Sequence, residues 1–221
     1  MTHATNARLI KIADFVHTLL QETYQKRTDA DRLNLDRYLM GVEYRWNHIL
    51  RVAQFGKVIA ENEAADVELV VAACLLHDVS WFETNADNSR EHGRIGSERA
   101  RPLLGELGYT PDQVDTICDA IAAHIGDEDP VTRVAKILSD ADNVDRYGPY
   151  RILQWCFPDI DDYDKLTAKL SDRIHRLEKY RDEKPLFTLT GQQLFAEQLN
   201  LQIRFFCEFV GERKLSVLPQ L

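Results

Sequence analysis

An imidazole and a carboxylate stand side by side at His77-Asp78, where the apolar run Val70-Val71-Ala72-Ala73-Cys74-Leu75-Leu76 ends. Ionisable groups leave water only when something compensates them. For this pair the candidate compensation is a divalent metal. The chain offers more donors of the same kind: His48 upstream, then His92, His124 and the Asp140-Ala141-Asp142 cluster downstream. His48, His77, Asp78 and Asp142 supply two imidazoles and two carboxylates. That set suits an octahedral, hard-to-borderline ion that keeps open positions for water and a substrate oxygen. The chemistry such a centre supports is hydrolysis, with Lewis acidity at the substrate and hydroxide available near neutral pH. Each residue alone has a plainer reading. His48 alone reads as an ordinary core or surface histidine. His77 could meet a helix C-terminus beside a turn-forming Asp78, and Asp140 and Asp142 could be loop or cap residues. The metal expectation rests on their joint occurrence and order.

The elements that must position these groups read as helices almost throughout. Leu9, Ile12, Ala13, Val16, Leu19 and Leu20 recur at helical spacing. Residues 44–59 form a second amphipathic pattern that carries His48. Residues 67–76 are apolar nearly all round, so a central buried helix is expected to deliver His77 and Asp78. A helix over 95–107 contains Pro102, which is expected to kink or split it. Thr110-Pro111-Asp112-Gln113 reads as a capped helix start, and that helix is expected to run to about His124 and stop near Gly126. Residues 131–138 lead into the aspartate cluster, and two further helices are expected over 163–180 and 191–210, separated by Pro185. No alternating run is long enough for a sheet. The polar connection 83–91 after the His-Asp pair is a candidate lid or a plain solvated connector.

Length and charge narrow the classes. With 221 residues, one large domain over 1–221 is expected, with flanking helices over 6–28 and 160–212. Lys and Arg number 27 against 36 Asp and Glu, a net charge of −9. Duplex nucleic acid is therefore not an expected partner, because such binding needs phosphate neutralisation by basic residues. The four cysteines, Cys74, Cys118, Cys156 and Cys207, form no CxxC pair, so reduced thiols are expected and a structural zinc site is not. The N-terminus lacks a signal-peptide pattern and no apolar run reaches membrane-spanning length, which sets the expectation at cytoplasmic with no membrane partner.

His48 in Trp46-Asn47-His48-Ile49-Leu50-Arg51-Val52, His77-Asp78 after Leu75-Leu76, and Ser139-Asp140-Ala141-Asp142-Asn143-Val144-Asp145 together resemble the H…HD…D signature of the HD superfamily of metal-dependent phosphohydrolases. The resemblance covers about 44–147. The stretch 187–209 is similar, more loosely, to the closing helix of small bacterial HD hydrolases that act on nucleotides. The resemblance implies an all-α fold, a single HD-type helical domain with its metal among central helices. It makes His48, His77 and Asp78 ligands, with Asp142 as the fourth and Asp140 as the reserve. It also implies that His92 and His124 approach the centre, to meet substrate phosphate or a second metal. The family commonly has Arg-Leu-Asp after Asp-Ala-Asp; here Asn143-Val144-Asp145 stands instead. Arg133 and Arg146 are candidates to replace the missing arginine, and Arg51 and Arg94 are candidates to face an anionic substrate.

The expected function is therefore a metal-dependent phosphohydrolase that cleaves a phosphoester or phosphoanhydride, with a nucleotide as the first choice of phosphorylated small molecule. Asp78, His92 and His124 are the candidate catalytic residues, and the cofactor is a divalent ion drawn from Mn, Fe, Co, Ni or Mg. Trp46, Trp81, Phe82 and Tyr147 are candidates to stack on a base. A two-iron oxygenase on the same scaffold and a catalytically silent nucleotide-binding regulator are the alternatives. A cyclic-dinucleotide phosphodiesterase lacks its Gly-Tyr-Pro extension. The oligomeric state, homo-oligomer included, stays open.

Overall fold

Ten α-helices account for the regular structure among the described residues, with three short 3-10 turns and no strand. The computed structural model describes residues 3–37, 40–85, 88–125, 130–183 and 186–215. It divides into two units, Met1–Asp145 and Arg146–Leu221. The first contains α1 (His3–Gln25), α2 (Asp29–Arg37), α3 (Val42–Asn62), α4 (Val67–Leu76), α5 (His92–Glu106), α6 (Pro111–Ala123) and most of α7 (Arg133–Arg146). The second contains α8 (Pro149–Cys156), α9 (Tyr163–Glu183) and α10 (Leu189–Leu215).

The centre of the first unit is α4. Asp66 caps it by accepting from the Glu68 and Leu69 amides at 3.0 and 3.1 Å, satisfying two of the donors a helix start leaves free. Every residue from Val70 to Leu76 is buried, because α1, α3, α5 and α6 pack around it. Gly56 lets α3 approach closely: a Cβ there would fall 2.5 Å from Cys74 Sγ. α6 begins as its sequence promises. The Gln113 amide donates to Thr110 Oγ1, the Gln113 side chain accepts from the Thr110 amide, and Pro111 holds the first turn. Its expected stop near Gly126 lies outside the described residues; the helix itself ends at Ala123.

Three differences from the sequence reading have physical causes. Pro102 neither splits nor ends α5, which runs through it on an exposed position; solvent can satisfy the carbonyl that a proline leaves without its donor. α7 continues through Asp140 and Asp142, so both aspartates are helical and buried rather than in a loop. α2 and α8 were not expected. The first is mostly polar and shows no apolar stripe, while α8 carries the signal of Pro149 at its first turn after Gly148.

In the second unit, Leu166, Leu170 and Leu177 of α9 and Phe195, Leu199 and Phe206 of α10 are buried. Gln202, fully buried, donates to the Tyr147 and Gly148 carbonyls at 2.5 and 3.2 Å. Tyr147 packs edge-on against Tyr180 and Phe195, so it is a core residue of this unit. All four cysteines are free thiols. No helix among the described residues is long and apolar enough to cross a membrane.

Candidate metal centre

His48 rides on α3, His77 and Asp78 follow the last turn of α4, and Asp142 lies on α7. His92 opens α5 and His124 closes α6. The fold brings all six together, and each side chain is 5 % exposed or less. Two groups of donors could each hold a metal ion: His48, His77 and Asp78, and Asp78, His92 and His124. Asp78 is common to both. Its Oδ2 is 3.3 Å from both His48 Nε2 and His77 Nε2, while its Oδ1 is 3.0 Å from His92 Nε2 and 3.6 Å from His124 Nε2. Asp142 Oδ1 is 3.4 Å from His48 Nε2 and 4.0 Å from His77 Nε2. Adjacent donors around an octahedral ion with bonds of about 2.1 Å stand about 3 Å apart, so the spacing fits.

The proton positions make the case sharper. His77 Nδ1 donates to the Cys74 carbonyl at 2.8 Å, His124 Nδ1 to the Ile121 carbonyl at 2.6 Å, and His92 Nδ1 to the Ser89 carbonyl. A carbonyl can only accept, so these three imidazoles carry their proton on Nδ1. His48 Nδ1 donates to Asp145 Oδ2 at 2.6 Å. In the neutral rings every Nε2 is then a bare lone pair, and these lone pairs face each other: His48 to His77 at 3.2 Å, His92 to His124 at 3.1 Å. Paired acceptors aimed at one point repel unless a cation lies between them. Carbonyl or carboxylate partners on the far nitrogen are also what fixes metal-binding histidines in general.

The surrounding charges set the protonation states. Burial alone would raise the Asp78 pKa, but the Arg45 guanidinium, then His77, His124 and His48, outweigh it and hold the carboxyl well below its ordinary value. Burial would lower His48, but its bonds to Asp145 and Asp78 outweigh that and raise it. His124 is lowered by burial, which its bond to Asp78 does not offset. Asp145 is pushed up by burial and pulled further down by His48 and Arg51, ending below its ordinary value.

Arg45 and Asp145 were not singled out by their sequence context, and both bear on the centre. Arg45 donates to Asp78 Oδ2 from a buried position and lies 3.6 Å over the Trp81 ring, which in turn meets His92 edge-on at 4.8 Å. Asp145 accepts from both His48 and Arg51, the latter at 2.5 and 3.2 Å. The only hint available was their helical phase, three residues before His48 and three after Asp142. Asp140 is fully buried on the same helix.

The arginines proposed to face substrate are engaged in ion pairs. Arg51 is held by Asp145, Arg94 pairs with Glu91 and Glu98 on the surface, and Arg133 meets Glu63. Arg146 is exposed at the end of α7. Among the aromatics, Trp46 packs on His17 and Phe82 is buried against Tyr24. Trp81 lines a cavity of about 440 Å³, with Arg27, Asp31, Thr84, Asn85 and Ser89 among its other walls.

This geometry has relatives. The family profile of the HD domain matches residues 45–147, the span that carries His48, His77, Asp78 and Asp142. Residues 45–147 therefore form an HD domain. Among curated proteins it is similar to ribonuclease Y of Borreliella burgdorferi, 29 % identical over 104 residues, which is 47 % of this chain and 19 % of that protein. It is also similar to ribonuclease Y of Sulfurovum sp., 25 % identical over 183 residues, 78 % of this chain and 34 % of that protein. The chain thus spans about a fifth to a third of the curated relatives it matches. Among solved structures it resembles Bacillus subtilis YpgQ, with a TM-score of 0.61 and 20 % identity over 93 % of this chain and 95 % of that one. YpgQ in complex with ADP gives 0.57 and 18 %, over 90 % and 97 % of the two chains. A predicted HD superfamily hydrolase from an uncultured Thermotogales bacterium gives 0.59 and 22 %, over 90 % and 91 %. The solved structures share this chain's fold over most of its length.

Proposed function

We propose that this HD protein is a metal-dependent phosphohydrolase acting on a nucleotide-type phosphoester or phosphoanhydride. One observation carries the reading: four buried Nε2 lone pairs and both oxygens of one ionised carboxylate converge within ion-coordination spacing. In this reading His48, His77, Asp78 and Asp142 hold a divalent ion, and Asp78 also orients the attacking water. A divalent ion there supplies Lewis acidity toward a phosphoryl oxygen and makes hydroxide available near neutral pH. Arg45 keeps Asp78 ionised and aimed, and Asp145 keeps His48 in the tautomer whose Nε2 is free to coordinate. His92 and His124 present lone pairs with Asp78 Oδ1, an arrangement for a second cation or for taking a proton from the reacting water.

Two supports point to the substrate class. YpgQ, a structural neighbour, is known in complex with ADP. The cavity walled by Trp81 lies within the common size range of small-ligand sites, and its indole edge on His92 ties it to the donor cluster. A second reading, cleavage of an RNA phosphodiester, is favoured by the similarity to ribonuclease Y.

The test is to measure bound metal in the purified chain and to follow phosphate release from a nucleotide panel beside cleavage of a single-stranded RNA. Asp78→Ala is expected to lower metal content and to reduce turnover by on the order of 10³-fold. Full metal content with full activity in that variant sinks the reading. Oxygen uptake with stoichiometric iron would replace it by the two-iron oxygenase, and ligand-induced stabilisation without turnover by the silent regulator.

A further inference from the structure

Arg173 of α9 is buried, at 8 % exposure, and no carboxylate or hydrogen-bond acceptor meets it among the described residues; its Nε is buried without a partner. Its guanidinium lies between two aromatic rings, 4.6 Å from the centroid of Trp155 and 5.3 Å from that of Tyr147. Cation–π contact offsets only part of the cost of burying an ion. The rest of the neighbourhood adds to that cost. Arg176 lies 5.7 Å over the same Trp155 ring and Lys169 Nζ 5.2 Å over it. Lys169 is neutralised by Asp159 at 2.7 Å; Arg176 is exposed and has no ion pair among the described residues. Burial lowers the Arg173 pKa, and repulsion from Arg151 and Arg176 adds to it, against the opposing pull of Tyr147 and Tyr180. A chain of net charge −9 has acidic groups to spare, yet among the described residues none pairs with Arg173 or Arg176.

We propose that Tyr147, Arg151, Trp155, Arg173 and Arg176 form an anion site in the second unit that takes a phosphate-bearing small molecule. Arg173 offers the planar fork that suits a phosphate, Arg176 and Arg151 screen its remaining charge, and the half-buried Trp155 face gives the ligand's organic part a surface. The cluster grades from buried Arg173 to exposed Arg176. The overall negative charge disfavours a nucleic acid strand as the occupant. The proposal stands independently of the metal reading.

Inorganic pyrophosphate is the probe, titrated into the full chain in excess chelator so that the donor cluster contributes nothing through metal. Binding is read by calorimetry and by the rise in melting temperature. The unaltered chain is expected to bind and be stabilised. Arg173→Met is expected to weaken binding about tenfold or more, while the ligand-free chain melts at the same temperature or higher, because an uncompensated buried charge has been removed. A structural arginine would do the reverse, lowering the melting temperature. Arg176→Gln, on the surface, is expected to fold normally and to weaken binding about two- to five-fold. No binding by the chelated chain, equal affinity in both variants, or a ligand-free Arg173→Met chain that melts lower or fails to fold each overturns the proposal. So does single-stranded RNA that binds here without competition from pyrophosphate. Kinetics of the metal-loaded Arg173→Met chain then tell whose phosphate it is. A raised KM at constant kcat assigns the substrate's own, and unchanged kinetics assign a separate ligand.

Discussion

Two groups of buried charge in this chain are balanced in opposite ways. Around Asp78 the guanidiniums have carboxylate partners: Arg45 with Asp78, and Arg51 with Asp145. What is left over there is a set of lone pairs, which call for a cation. Around Trp155 the left-over groups are guanidiniums, met by aromatic faces and by more positive charge. The lesson is that burial alone does not mark a site. The sign of what burial leaves uncompensated says what kind of ligand the protein was built to receive.

The largest effect expected comes from cutting the balanced group. Asp78→Ala leaves the Arg45 guanidinium buried beside Trp81 without its carboxylate, and breaking a buried pair in this way costs about 3–5 kcal/mol. Urea denaturation in chelator should show that loss. Adding Arg45→Met should recover most of it, since the orphaned charge is then gone, and a cycle over both positions would give the coupling. A loss that is the same with or without Arg45 would mean the two groups do not sense each other. The contrast with Arg173→Met, where deletion of a buried cation is expected not to destabilise, is the sharpest form of the comparison.

The next effect tests the backbone beneath the donors. α5 meets α6 at Gly93, where an added Cβ would stand 3.0 and 3.1 Å from the Ile121 and Ala122 carbonyls and 3.3 Å from His124 Nδ1. Gly93→Ala must therefore push the two helices apart, at about 1–3 kcal/mol. The same shift separates His92 from His124, so turnover should fall by more than the stability loss explains. A variant that is destabilised but keeps full turnover would show that the pair is not needed for the reaction.

How far the sequence reached differs between the two groups for a physical reason. His77-Asp78 was legible because a charged pair ending an all-apolar helix is hard to explain otherwise, and α4 has the boundaries its composition implies. His48 and the aspartates of α7 were legible through their order. Arg45 and Asp145 were not, because a charged residue at helical spacing usually faces water, and their burial depends on how α3, α4 and α7 pack. The site around Arg173 was less legible still. Trp155 and Arg173 lie on different helices with no motif between them, and Tyr147, a stacking candidate whose spacing suits core better, is core packed on Tyr180 and Phe195.

A smaller effect tests the outer support of the metal centre. Asp145→Asn removes the charge that fixes His48 and leaves Arg51 half-exposed, where water can satisfy it. Loss of such an outer partner typically lowers metal affinity about 10–100-fold, which competition with a chelating dye would measure. The His48 pKa, raised in the intact chain by Asp145 and Asp78 against burial, should fall in the variant, visible in its imidazole titration by NMR. An unchanged titration would assign the support of His48 elsewhere.

The smallest effect lies in an ion-pair cluster of the second unit. Asp159 is flanked by Lys165 and Lys169 at 2.7 Å each, and those two bonds lower its carboxyl below the ordinary 3.8. A carboxyl with a depressed pKa stabilises the folded chain at pH values above its unfolded value, and the contribution disappears as pH falls through the lower, folded one. Comparing the chain with Asp159→Asn between pH 6 and pH 2 should thus show a small difference in melting temperature that closes on the acid side, and that shrinks in high salt because Lys165 is exposed and Lys169 partly so. The Asp78 and Asp145 carboxyls are depressed too, but they are held inside the protein, so their contribution should survive the same salt. A salt-sensitive acid transition confined to Asp159 would separate charge paired with solvent-reaching lysines from charge that the fold encloses together with its partners.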